Sequence, residues 1–159
     1  MTGIVYAANS AKLGGGNRVL MDIVTRLDRT RFLPIIVAPG VGRLLDWARQ
    51  SEIPVRVNPS GSANAERRGA LTRQAAFFAF LVMRYRARIV HAMEQTCYRP
   101  AGLAGLLTGA VRICHLEFPP EAAEIEWAFR VSPDVVDMPV RPLGGVPVMR
   151  EASAKASRP

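Results

Sequence analysis

Apolar positions along this chain fall into two alternating patterns. Short continuous runs, β-branched at their centres, read as buried parallel strands; longer stretches with apolar residues three and four apart read as helices. Gly3 to Ala8 is the first such run. A small-residue loop, Asn9 to Gly16, follows. Asn17 then stands where it would cap a helix, with Val19, Leu20, Ile23, Val24 and Leu27 at helical spacing. Phe32 to Ala38 is the second strand, closed by Pro39-Gly40, and Leu44, Leu45, Trp47 and Ala48 mark a second helix. Ile53 to Val57 is the third strand, and Pro54 within it signals a strand start or an edge. Asn58 to Glu66, rich in Gly, Ser, Asn and Ala, reads as a mobile loop before a long helix from about Arg67 to Arg86. Ile89 to Ala92 is the fourth strand, Tyr98 to Leu107 a small-residue helix ended by Gly109, and Val111 to His115 the fifth strand. A short helix at about Glu121 to Phe129 and a sixth strand at Asp134 to Val136 continue the pattern.

Strand and helix in strict alternation predict an α/β fold, a doubly wound Rossmann-like parallel sheet flanked by helices. Residues 1–137 form the expected domain. Residues 138–159 hold four prolines, two adjacent glycines and no periodicity, and read as an irregular or disordered tail. Ligands of such sheets bind beyond the carboxyl ends of the strands. The loops after Ala8, after Val90 and after Cys114 are therefore where chemistry is expected.

Composition narrows the class. The chain has 159 residues, 49% hydrophobic and 21% charged. That is one domain with a small appendage, too apolar for a disordered chain and too short for two full domains about a cleft. The longest apolar run, Ala75 to Met83, falls well short of the roughly 20 residues that span a bilayer. The first residues place no basic region before an apolar one, unlike a signal peptide. Cys97 and Cys114 do not make a disulfide framework. The expectation is a cytoplasmic protein.

The net charge of +8 is carried almost wholly by arginine, lysine occurring only at positions 12 and 155. Arginine's planar fork suits phosphate and carboxylate. The arginines are dispersed, and no nucleic-acid-binding signature accompanies them, so nucleic acid is not the expected partner. Phosphorylated or lipid-linked substrates, or an anionic membrane surface, fit equally well, and an arginine bias also arises from genome composition alone. The helix around Ala75 to Met83 has Arg67, Arg68, Arg73, Arg84, Arg86 and Arg88 at its margins. It reads either as a helix buried on the sheet with snorkelling arginines or as an interfacial helix on anionic lipid.

The loop after the first strand ends in Gly14-Gly15-Gly16. Glycines there let a ligand approach the backbone, and free N–H groups at a helix start favour an anion. Two common nucleotide motifs fail. The third glycine of G-x-G-x-x-G would fall at Val19, and Asn17-Arg18 is not the Gly-Lys-Ser/Thr of a P-loop.

Ala8 to Leu27, with its strand, glycine loop and leucine-bearing helix, resembles the opening of family-4 glycosyltransferases of the GT-B fold. The resemblance continues in Ile35 to Gly40, in Ile89-Val-His-Ala92, and in Leu103 to His115, and covers about residues 3 to 130. It implies two Rossmann-like domains facing a cleft, the first binding the acceptor and the second the nucleotide sugar. Transfer would be typically retaining, with no cofactor and no metal. It implies that Gly15 and Gly16, with Gly14 and Asn17 beside them, approach the donor phosphate and the acceptor. His115 would contact the donor sugar or the reacting centre, and His91 the acceptor side. The chain departs from the family in following His115 with Leu116-Glu117, and no second glycine-rich loop or donor-binding glutamate motif appears after residue 130. It is expected to be an N-terminal half, from a truncated or frame-shifted gene or needing a separate partner chain. The partners implied are a nucleotide-sugar donor and a sugar or lipid-linked acceptor, with peripheral contact at the inner membrane surface.

Other residues are weaker candidates. Glu94 and Arg99 flank the fourth-strand loop, where they would bind an acceptor, although plain surface roles are the stronger expectation for both. Glu117 reads as a loop acid and Cys114 as a small buried hydrophobe; Cys97 is open between inert and reactive. No His, Cys or Asp cluster has metal-ligand spacing. The competing function is a non-catalytic α/β binding module or the decayed remnant of such an enzyme.

Overall fold

The computed structural model of the chain describes residues 1–60 and 69–116. Strands and helices alternate as β1 (Thr2–Ala7), α1 (Gly15–Thr25), β2 (Phe32–Ala38), α2 (Arg43–Gln50), β3 (Val55–Val57), α3 (Ala70–Arg84), β4 (Ala87–Ala92), α4 (Gln95–Thr108) and β5 (Val111–Cys114). The expected helix at Glu121, the sixth strand at Asp134 and the 138–159 tail lie outside the described residues, as do Arg67, Arg68 and Glu117.

All five strands are parallel, in the order β3-β2-β1-β4-β5. The sheet is therefore doubly wound, with β1 at its centre: successive strands are added outward to β3 on one side, and from β4 onward on the other, so the strand order reverses between β1 and β4. Alternation along β1 and β2 serves two cores at once. Val5, Ala7, Ile35 and Val37 face α3 and α4, packing with Phe78, Leu81, Val82, Ala101 and Ala104. Ile4, Tyr6, Ala8, Ile36 and Ala38 face α1 and α2, packing with Leu20, Val24, Leu44, Leu45 and Ala48. Burial on both faces is why these two strands read as unbroken apolar runs.

Several boundaries differ from the sequence reading. β3 starts at Val55 and is an edge strand, because Pro54 has no N–H to give a ladder. β4 begins at Ala87, two residues early, and its register on β1 shifts between Gly3 and Ile4, leaving Arg88 as the extra residue of a bulge. α3 ends at Arg84 rather than Arg86, and Arg86 adopts a left-handed conformation (φ 48°). α4 starts at Gln95, three residues early, with Pro100 inside it giving up one backbone bond. β5 ends at Cys114, though the His115 N–H still bonds the Ala92 carbonyl at 2.8 Å.

Candidate functional site

The carboxyl ends of β1 and β4 lie side by side at the reversal of strand order. There a cleft of about 350 Å³ opens, lined by Asn9, Ser10, Lys12, Leu13, Gly14, Gly15, Gly16, Asn17, Met93 and Glu94. One wall is the β1–α1 loop and the other is the β4–α4 junction.

α1 begins at Gly15, with Gly14 as its N-cap and no side chain bonded to its free N–H groups. The first intrahelical bond runs from Arg18 N–H to the Gly14 carbonyl at 3.1 Å. No acidic side chain sits in the first turn, so the partial positive charge of the helix start faces the cleft. Asn17 is not the cap. It lies inside the helix, buried, and its Nδ2 donates to the carbonyls of Ser10 (2.8 Å) and Lys12 (2.5 Å). The glycines before it place no side chain over those N–H groups, so the helix starts before the asparagine and turns it back onto the loop.

Two further contacts fix the loop. Ala11 carbonyl accepts from Leu44 N–H at 3.1 Å, at the start of α2. Gly42 packs so closely beneath it that a Cβ there would stand 2.7 Å from the Ala11 carbonyl oxygen. Asn9 Nδ2 donates to Glu94 Oε2 at 2.6 Å, joining loops 85 positions apart in sequence. Thr96 Oγ1 reaches the same carboxylate oxygen at 3.4 Å. Glu94 is thus held at the cleft wall.

Gly14, Gly15, Gly16, Asn17 and Glu94 come together in the cleft, while His91, His115 and Arg99 do not line it. Arg99 lies half-buried on α4. His91 and His115 form a row of rings with Tyr6 across β1, β4 and the end of β5. Centroids are 5.2 Å apart for Tyr6–His91 and 6.2 Å for His91–His115. Burial, and then His115, pull the His91 imidazole down to about 4, so this ring is neutral near pH 7. Its Nε2 is buried and has no hydrogen-bond partner among the described residues.

Cys97, left open by the sequence, is buried, and its Sγ donates to the Ala7 carbonyl at 3.1 Å. Burial pushes its thiol up to about 11, as it pushes Cys114 to about 12. Neither is an activated nucleophile. Among the described residues no three His, Cys, Asp or Glu side chains gather as metal ligands would.

Sequence reasoning missed Asn9, Ser10, Lys12, Leu13 and Met93. The first four stood in the flagged loop but carried no motif. Met93 follows the fourth strand directly, and its N–H bonds the Ala7 carbonyl at 2.9 Å.

No family model matches this chain, and no curated protein does. Solved structures do. A glycosyltransferase from Rickettsia africae aligns with a TM-score of 0.62 at 18% identity, over 79% of this chain and 33% of that one. Alr3699/HepE of Anabaena, solved with UDP-glucose, aligns with 0.62 at 20% identity, over 82% and 34%. The lipopolysaccharide outer core galactosyltransferase WaaB aligns with 0.51 at 14%, over 71% and 32%. The likeness is one of fold, and the chain spans about a third of the length of each.

Proposed function

We propose that this chain is the N-terminal, acceptor-side domain of a family-4 glycosyltransferase of the GT-B fold. It works with a C-terminal domain that binds the nucleotide sugar, passing the sugar to a sugar or lipid-linked acceptor. The observation that carries this reading is the cleft at the β1/β4 reversal, with the uncapped start of α1 on one side and the tethered Glu94 on the other. Ligands of doubly wound sheets bind at this reversal. A fold shared with glycosyltransferases, one of them holding UDP-glucose, supports it.

In this reading the N–H groups at Gly15 and Gly16 face the donor phosphate, whose charge the helix start favours. Gly14 keeps that approach free of side chains. Glu94, fixed by Asn9, accepts a hydrogen bond from an acceptor hydroxyl, and Asn17 holds the loop in shape. His115, at the carboxyl end of β5, is the candidate catalytic group, donating to the reacting centre. His91 and Arg99 belong to the acceptor side.

Amide chemical-shift mapping on the full chain tests this. An acceptor sugar is expected to move Glu94 and the Gly14–Gly16 amides, UDP-glucose alone to bind weakly, and transfer to need an added donor-binding domain. Tight UDP-glucose binding by this chain alone would contradict the division of labour. A glycine loop indifferent to both ligands would end the reading.

A further inference from the structure

Two arginines from different elements share one aromatic ring at the amino end of β4, the end of the sheet opposite the cleft. Arg56 of β3 stands 5.4 Å from the Tyr85 centroid and Arg84 of α3 stands 5.6 Å from it. The ring is a fixed platform. Tyr85 packs against the α3–α4 core, its N–H bonds the Leu81 carbonyl at 3.0 Å, and its own carbonyl abuts Gly3. Arg56 is held too, its Nη1 donating to the Val55 carbonyl at 2.7 Å. Both arginines are exposed, so most of their five N–H donors each face solvent.

Local structure accounts for only one of these charges. Arg84 lies in the last turn of α3 and answers the partial negative charge of the helix end, about half an elementary charge. Arg56 is a second cation, brought in from the far edge strand. Arg86 adds a third at the same turn through a left-handed backbone (φ 48°), which a non-glycine residue rarely adopts. From Ala70 to Ala92 there is no acidic residue. Among the described residues neither Arg56 nor Arg84 is in an ion pair, whereas Arg49 has Asp46 at 3.0 Å. Two like charges on one ring stand within about a Debye length, so ordinary salt does not screen their repulsion away.

We propose that Arg56, Tyr85 and Arg84 form a clamp for the phosphate or pyrophosphate group of a small soluble ligand. A guanidinium fork matches phosphate oxygens bidentately. Two forks on one ring span a single compact dianion, and taking it up turns their repulsion into attraction. The ring and the Val55 carbonyl hold the forks in place beforehand, so little ordering is lost on binding. This site lies apart from the glycine loop and stands independently of the transferase reading.

Nuclear magnetic resonance of the full chain tests it, with sodium pyrophosphate titrated at constant ionic strength against sodium chloride. Saturable shifts are expected at the Arg56 and Arg84 Nε–Hε groups and the Tyr85 amide. Arg56→Gln and Arg84→Gln should each weaken binding about tenfold. Tyr85→Leu keeps both charges but removes two cation–π contacts, and should also cost about tenfold. Tyr85→Phe keeps the ring and should bind like the parent. Arg26→Gln, remote from the clamp, should lose less than about twofold. Circular dichroism checks each fold, and Arg56→Gln with Tyr85→Phe decides the case should Tyr85→Leu not fold. Shifts confined to the Gly14–Gly16 amides overturn the proposal. So does an equal loss in Arg26→Gln, parent-like binding by Arg56→Gln, or a Tyr85→Phe variant that no longer binds.

Discussion

Asn17→Ala separates a brace from a ligand-binding residue. The side chain is buried and donates two hydrogen bonds, to Ser10 and Lys12 carbonyls. Each is worth about 1 kcal/mol net, and an acceptor left dry costs roughly 1 to 3 kcal/mol more. Lys12 is exposed, so water takes its carbonyl back; Ser10 is half-buried and rehydrates less completely. Alanine returns about half a kcal/mol through its helix propensity. The net expectation is a loss of about 2 kcal/mol, or roughly thirty-fold in the folding equilibrium. With a urea slope of about 2 kcal/mol/M, the unfolding midpoint falls by about 1 M. Asn17→Asp sharpens the test. It keeps the shape but, when ionised, offers oxygens to two carbonyl oxygens, against a helix-start benefit of at most about 1 kcal/mol. Asp should be no better than Ala. A midpoint for Asn17→Ala within the error of the parent, or an Asp variant as stable as Asn, would refute the brace.

Two other perturbations read the same framework. Gly42→Ala puts a Cβ 2.7 Å from the Ala11 carbonyl oxygen and 3.0 Å from its Cβ. It should cost about 1 to 3 kcal/mol by chemical denaturation, whereas Gly40→Ala, with nothing within 4 Å of the new Cβ, should stay within about 0.5 kcal/mol; equal effects would refute the packing argument. For His91 the unfolded imidazole titrates near 6.5 and the folded one near 4, so between those values the unfolded chain binds the extra proton. The stability this group confers is complete above pH 6.5 and falls as pH drops toward 4. Comparing urea midpoints of the parent and His91→Gln across that window should show a steeper fall in the parent, and parallel curves would refute it.

The order of elements was legible because the strands that matter most are buried on both sides. Val5 and Tyr6, or Ile35 and Ile36, face opposite cores, and both cores demand apolar side chains, so alternation gives way to a run. Pro54 announced its edge strand for an equally local reason. Boundaries set by tertiary contact were not legible. The bulge at Arg88 exists because Ala87 must pair with Gly3, whose missing side chain makes room: a Cβ on Gly3 would meet the Tyr85 carbonyl oxygen at 2.8 Å. The site divided in the same way. The glycine loop was visible as composition, and its place at the carboxyl edge followed from the fold class. The Asn9–Glu94 bond joins residues far apart in sequence, and no spacing rule points from one to the other. Asn17 looks like a cap in sequence because one amide serves either purpose: its oxygen can accept from helix N–H groups, but here its nitrogen donates to loop carbonyls.

These contacts divide the β1–α1 loop into two parts with different duties. Residues Asn9 to Lys12 are held from three sides: Asn9 by Glu94, Ala11 by the start of α2, and the Ser10 and Lys12 carbonyls by Asn17. Leu13 to Gly15 are exposed, and a Cβ on Gly14 would meet nothing within 4 Å. A loop held at one end and bare at the other keeps its backbone N–H groups aimed without filling the space before them. That is the preorganisation an anion site requires, since a loop that had to be ordered by its ligand would lose affinity to that ordering. The same bond that steadies the loop also positions the Glu94 carboxylate. Loosening Asn9 would therefore disturb both walls of the cleft together, while a side chain added at Gly14 would leave the framework intact and intrude only on the open space of the cleft.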